Sequence, residues 1–133
     1  MLAMARPVWL LGLGATLIAA APAQAPSLLS AIEPGNWQLH ELGGEARALC
    51  ITDPASLLQI QHGMANCARR LIDDGPRAAT VHYTCPGAGH GRTVLKLETP
   101  RSLALETQGI DHGEPFDLRY QLTRTGACQS ARN

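Results

Sequence analysis

From Ala79 onward the apolar side chains recur at every second residue, and few folds survive that pattern. Ala79, Val81, Tyr83 and Cys85 point one way, and Thr80, His82 and Thr84 the other. Leu95 and Leu97 oppose Lys96 and Glu98; Leu103, Leu105 and Thr107 oppose Ala104, Glu106 and Gln108; Phe116, Leu118, Tyr120 and Leu122 oppose Asp117, Arg119, Gln121 and Thr123. A period of two over four stretches predicts strands with one face buried and one in water. The breaks between them are turn chemistry: Asp73-Asp74-Gly75-Pro76, Pro86 to Gly91, Thr99-Pro100-Arg101 and Asp111-His112-Gly113-Glu114. Short connections of that composition predict antiparallel neighbours, hence a β-meander.

The first half is less regular. Trp37–Leu42 and Arg47–Ile51 flank Gly43-Gly44 and read as a hairpin. Asp53-Pro54 is a helix start, Asp as N-cap and Pro at the first helical position, so Ala55–Gln61 is expected to make two turns ending near Gly63. Cys67–Ile72 is a further strand, paired with Ala78–Cys85 across the Asp-Asp-Gly-Pro turn. The expected fold is mainly β: a small antiparallel β-meander of about seven strands. It forms a curved sheet or a partly closed barrel, with one short helix over an opening.

Residues 1–23 read as a secretory leader. Arg6 is followed by an uncharged run from Val8 to Ala21 and then by small residues. The run is interrupted by glycine and is shorter than the roughly 20 apolar residues a spanning helix needs. Cleavage after Ala23 is favoured over cleavage after Ala25, which would place Pro26 just beyond the cut. Residues 24–133 then form one exported domain, periplasmic or secreted, that does not span a membrane once processed.

All four cysteines, Cys50, Cys67, Cys85 and Cys128, lie in that domain. An even count in a short exported chain predicts two disulfides. With only Trp37, Tyr83, Phe116 and Tyr120 as aromatics there, the core is mainly aliphatic. A bridge adding about 3 kcal/mol matters to a domain this small. Cys50 and Cys67 bracket the short helix, so the pairing favoured from sequence is Cys50–Cys67 with Cys85–Cys128. Parity opposes it. An unbroken meander puts Cys67 and Cys85 at one end and carries Cys128 to the other. The favoured pairing therefore requires the Gly-rich segment 86–91 to interrupt the meander. Otherwise the pairs are Cys67–Cys85 and Cys50–Cys128.

Patterns that carry chemistry are few. Eleven Lys+Arg balance eleven Asp+Glu, only Lys96 is a lysine, and no basic run exceeds two residues, which argues against nucleic acid as a partner. Pro86-Gly87-Ala88-Gly89-His90-Gly91 resembles a phosphate loop, but a strand follows it where a helix N-terminus would be needed. No C-x-x-C, H-E-x-x-H or G-x-S-x-G is present, no cofactor pattern is found, and a catalytic role is not expected. Alternate turns of a meander share an end, so His90 and His112, with Asp111 and Glu114, are the candidates for a metal or anion site. The competing reading is solvated loop residues. Arg69-Arg70 must send one guanidinium inward or to a rim, where a carboxylate partner is expected. Glu41 poses the same problem beside Trp37 and Leu39. His82 faces water.

The order of features is similar to a bacterial exported family, domain of unknown function 3617. The points of likeness are Ile32-Glu33-Pro34-Gly35-Asn36-Trp37, then Leu49-Cys50-Ile51-Thr52 before a Pro-started helix. Cys67 follows, Tyr83-Thr84-Cys85 closes a strand, and Arg124-Thr125-Gly126-Ala127-Cys128 comes last. The resemblance covers about residues 31–128 and implies a periplasmic address and a β-rich fold. It carries no activity, and this chain lacks the Met and Gly enrichment around the first strand that many relatives have.

These observations lead to the expectation of a non-enzymatic binding or envelope-accessory module, taking a small apolar ligand inside a closed sheet or docking on an envelope protein. The alternative is a secreted inhibitor of a hydrolase such as a protease or lysozyme, presenting residues 86–91 as a rigid loop.

Overall fold

The structure is a computed structural model and describes residues 14–17 and 24–129; residues 1–13 and 18–23, which hold most of the expected leader, lie outside the described part. Two short 3-10 helices and seven strands follow in the order η1 (Ser27–Ala31), β1 (Gly35–Glu41), β2 (Ala46–Ile51), η2 (Pro54–His62), β3 (Ala68–Asp74), β4 (Ala78–Cys85), β5 (Gly89–Thr99), β6 (Ser102–Asp111) and β7 (Glu114–Gly126). All seven strands form one antiparallel sheet, ordered β2-β1-β7-β6-β5-β4-β3. Strands β3 to β7 are the expected meander. The β1–β2 hairpin adds to its far side through β1 and β7, with Leu39 opposite Leu122. The sheet does not close: β2 and β3 are its two edges.

The alternation has the physical meaning read from it. Val81, Leu95, Leu103, Leu105 and Leu122 are fully buried on one face, joined by Trp37 and Leu39 of β1. Helices cover that face: Leu28 and Ile32 at η1 and Leu57 and Leu58 of η2 complete the core, with η2 over β4, β5 and β6. Trp37 satisfies its indole by donating from Nε1 to the Glu33 carbonyl at 3.0 Å. The other face carries His82, Arg92, Gln108 and Asp117 in one exposed row across four strands. The interior that a closed sheet might have offered to an apolar ligand is filled on the covered face by Leu28, Ile32, Leu57 and Leu58 packed on the buried strand residues.

The expected helix start is present. Asp53 accepts from Ala55 N through its carboxylate at 2.9 Å, with Pro54 at the first helical position. The helix is 3-10 rather than α and breaks at Gln59 (φ −137°, ψ 38°), so η2 is two short turns, the length at which 3-10 geometry holds.

The favoured cysteine pairing is overturned. The bridges are Cys67–Cys85 and Cys50–Cys128, not Cys50–Cys67 and Cys85–Cys128. The reason is the segment 86–91, which does not interrupt the meander. Ala88 N donates to Cys85 O at 2.9 Å around Pro86-Gly87, with Gly87 at φ +77°, the pattern of a type II turn. β5 begins at once, at Gly89. With the meander intact, parity decides: Ala68 sits opposite Thr84, which brings Cys67 beside Cys85. The chain beyond β7 returns Cys128 past β1 to Cys50, which lies opposite Asn36.

Candidate functional site

Both edges of the sheet border one groove. Its walls are Arg47, Leu49 and Cys50 of β2 on one side and, on the other, Arg69 of β3 with Cys67 just before that strand. Its floor is η2 and the turn Gly63–Asn66, and its volume is about 590 Å³. The sheet therefore curls far enough to bring its two ends to the same opening, with η2 between them. Each wall is braced by a disulfide: Cys50–Cys128 ties β2 past β1 to the chain after β7, and Cys67–Cys85 ties β3 to β4.

Local chemistry shapes the floor. The buried Gln59 amide donates to the carbonyls of Gly63 (3.1 Å) and Ala65 (2.7 Å), which holds the turn after η2 in place. Gly63 takes φ +56° at that corner. Met64, at its tip, is 98% exposed, while Leu49 and Ile60 are half-buried against the core. The groove is thus apolar along Leu49, Ile60 and Ala65 and cationic at Arg47 and Arg69.

Arg69 and Arg70 leave β3 on opposite faces, as the alternation requires; Arg70 is exposed. Arg69 turns inward, but the carboxylate expected beside it is not there among the described residues. Its Nη1 donates to the Ala55 carbonyl at 3.1 Å, and its buried Nε has no acceptor. Glu41, the parallel case, lies half-buried over the Gly43-Gly44 turn, its carboxylate packed against Gly44.

A second polar cluster lies at the other end of η2. The His62 side chain is 0% exposed. Its Nε2–H donates to the Ile110 carbonyl at 3.1 Å, and Nδ1 accepts from the Tyr83 hydroxyl at 3.0 Å. Its ring meets Tyr83 and Phe116 edge-on, with centroids 5.2 and 5.8 Å away. Between these two rings the sheet carries glycine: across four strands one row reads Tyr83, Gly91, Gly109, Phe116. A Cβ on Gly91 would strike the Tyr83 ring, and one on Gly109 the His90 backbone. Burial pushes the Tyr83 phenol above its ordinary value, partly offset by a hydrogen bond with Thr107.

The candidate metal set is placed as follows. Asp111 and His112 meet in the β6–β7 turn, where the His112 Nδ1–H donates to Asp111 at 2.6 Å. His112 (φ +47°) and Gly113 (φ +86°) give the turn its type I′ pattern. The Asp111 carboxylate also accepts from Gln61 at 3.1 Å and lies 3.8 Å from His62. The His112 hydrogen bond, then the Gln61 one, hold its carboxyl below the usual range. Glu114 begins β7 opposite Asp111 and is exposed. His90 is exposed on β5, opposite Thr84 and Ile110, on the face away from the helices. Among the described residues no three His, Cys, Asp or Glu side chains gather as a metal site.

Sequence reasoning named Asp111 and His112 but missed their companions His62 and Gln61, and it missed Arg47 as the partner of Arg69 across the groove. One signal for a packed site here was available: Gly89 and Gly91 within a strand pattern mark a close approach by another group as readily as a loop, and a Cβ on Gly89 would meet the Ile110 carbonyl and then His62.

Among the described residues both cysteine pairs are oxidised, the state that an extracytoplasmic compartment maintains, and no helix is long and apolar enough to cross a membrane. No family model, curated protein or solved structure matches the chain.

Proposed function

We propose that this is an exported, non-enzymatic binding module whose ligand seats in the groove between β2 and β3. The observation that supports it most is the groove itself: an opening of about 590 Å³ with braced walls, in the range of about 300–1,000 Å³ typical of small-molecule sites. Its cysteines are bridged and its carboxylate, Asp53, is engaged in capping η2, so neither is offered as a nucleophile or free base. Export rests on the leader read in residues 1–23, on the two bridges, and on the resemblance to the exported family named above. The inhibitor reading has less behind it, because residues 86–91 are a tight turn and the start of β5 rather than a presented loop.

Native mass spectrometry of protein purified from its source, followed by solvent extraction, tests the reading. A co-purifying small molecule whose removal shifts the groove amides is expected. A uniformly ligand-free species that also gives no envelope crosslink would overturn it.

A further inference from the structure

The groove contains an unpaid electrostatic debt that specifies what it should hold. Arg69 commits Nη1 to the Ala55 carbonyl, while Nε is buried without an acceptor. A buried guanidinium N–H left unpaired is costly and rare in folded proteins. The uncommitted edge of the fork is Nε with Nη2, the side that pairs two N–H groups with two oxygens of a carboxylate or phosphate. Arg69 already lines the groove, and one hydrogen bond, Nη1 to the Ala55 carbonyl, is all that its guanidinium would give up in turning that edge toward a ligand there. Arg47 lies across the groove and makes no ion pair among the described residues. Asp53, the carboxylate at the same site, has an oxygen held by Ala55 N. Two cations against one engaged anion leave the groove positive.

The remaining lining is apolar. Leu49, Ile60 and Ala65 supply it together with Met64, whose unbranched, polarisable side chain adapts to an irregular surface. An extended peptide adding to β3 fits less well. The Leu71 N–H on that edge is already taken by the Gln24 side chain at 2.8 Å, and Ser27 holds the same segment to Asp74.

We propose that the groove binds a small anionic amphiphile, its carboxylate or phosphate headgroup on Arg69 and Arg47 and its hydrocarbon tail along Leu49, Ile60 and Met64. This rests on the groove being the binding site.

The test is a titration of the isotope-labelled, disulfide-intact protein followed by amide and methyl chemical shifts. The probes are decanoate, decyl phosphate, decanol, acetate, inorganic phosphate and an acidic extended peptide. Decanoate or decyl phosphate should shift groove residues and bind about tenfold or more tighter than decanol, the worth of a charge-assisted hydrogen bond. Arg69→Gln should abolish that margin while leaving decanol unchanged. Should Arg69→Gln fail to fold, Arg47→Gln, at an exposed position, should reduce the margin instead. Equal binding of decanol and decanoate in the groove overturns the headgroup assignment and leaves the groove reading intact. Acetate or inorganic phosphate binding as tightly as the long-chain probes overturns the amphiphile in favour of a free-oxyanion site. A response to the peptide alone, along β2, overturns it in favour of strand addition. No groove shift with any probe removes both the amphiphile and the groove reading.

Discussion

Cys67 and Cys85 face each other where β3 and β4 meet their ends, Cα atoms 4.1 Å apart, and the bond between them staples an edge strand to the sheet. Cys50 and Cys128 do the same for the opposite edge from 78 residues apart. The two bridges close loops of different length, 18 against 78 residues. On chain entropy, the Cys67→Ser/Cys85→Ser variant should lose about 3 kcal/mol and the Cys50→Ser/Cys128→Ser variant about 4.5 kcal/mol. Urea unfolding checks the order. Equal losses would mean that strain or residual structure, not loop length, sets the value of each bridge.

Gly109 is a position where the sheet admits no side chain. A Cβ there meets the His90 backbone, which cannot rotate away as a side chain could. Gly109→Ala should therefore cost about 2–3 kcal/mol, at the upper end for overpacking. Gly43, which faces open space at φ +85°, should lose only about 1 kcal/mol on the same substitution. Thermal unfolding of the two variants side by side gives the comparison.

The Asp111 carboxyl is held below its ordinary range by hydrogen bonds from His112 and Gln61. A depressed carboxyl contributes stability above its unfolded value, and that contribution is lost as pH falls through the lower folded one. Stability should accordingly decline below about pH 4 in part through this group. Asp111→Asn should flatten that acid limb while changing the neutral-to-alkaline profile little. Melting temperature against pH, compared between the two proteins, reads the difference.

Tyr83 carries the opposite sign. Burial raises its phenol, with a Thr107 hydrogen bond opposing and Asp111 adding to the rise. Its proton is retained in the fold after the unfolded chain has lost it, so stability falls as pH climbs from about 10 through the raised value. Ultraviolet titration should show tyrosine ionisation coupled to unfolding at alkaline pH. Tyr83→Phe should weaken that coupling. It should also cost about 1–3 kcal/mol at neutral pH, because His62 Nδ1 is left buried without its donor.

The strands were readable because each one has a wet face: with Val81 in and His82 out, the period declares itself. The 3-10 helix was readable at its start, since Asp53 and Pro54 act locally, and not in its type. The kink at Gln59 comes from that side chain reaching to Gly63 and Ala65, a constraint set by the turn beyond. The cysteine pairing turned on Gly87, Gly89 and Gly91. Glycine has no side chain to report a face, so a strand built on it reads as a loop; what requires it is the Ile110 carbonyl of the next strand at Gly89, with His62 Nε2 behind it, and the Tyr83 ring at Gly91. The groove was the least legible part. Arg47 and Arg69 belong to opposite edges of the sheet, and only the curl of five intervening strands brings them to one groove.

The pairing of β1 with β7, Asn36 opposite Gly126, sets a timetable as well as a shape. A chain made from its amino end finishes the first hairpin long before the strand it must join exists. Strands β3 to β7 can zip up through short turns, whereas the β1–β7 seam waits for nearly the whole domain, the kind of distant contact that slows folding. Oxidation of Cys128 onto Cys50 can follow only once that seam has formed. In an oxidative refolding time course, this bond should therefore appear last, and its arrival would serve as a clock for completion.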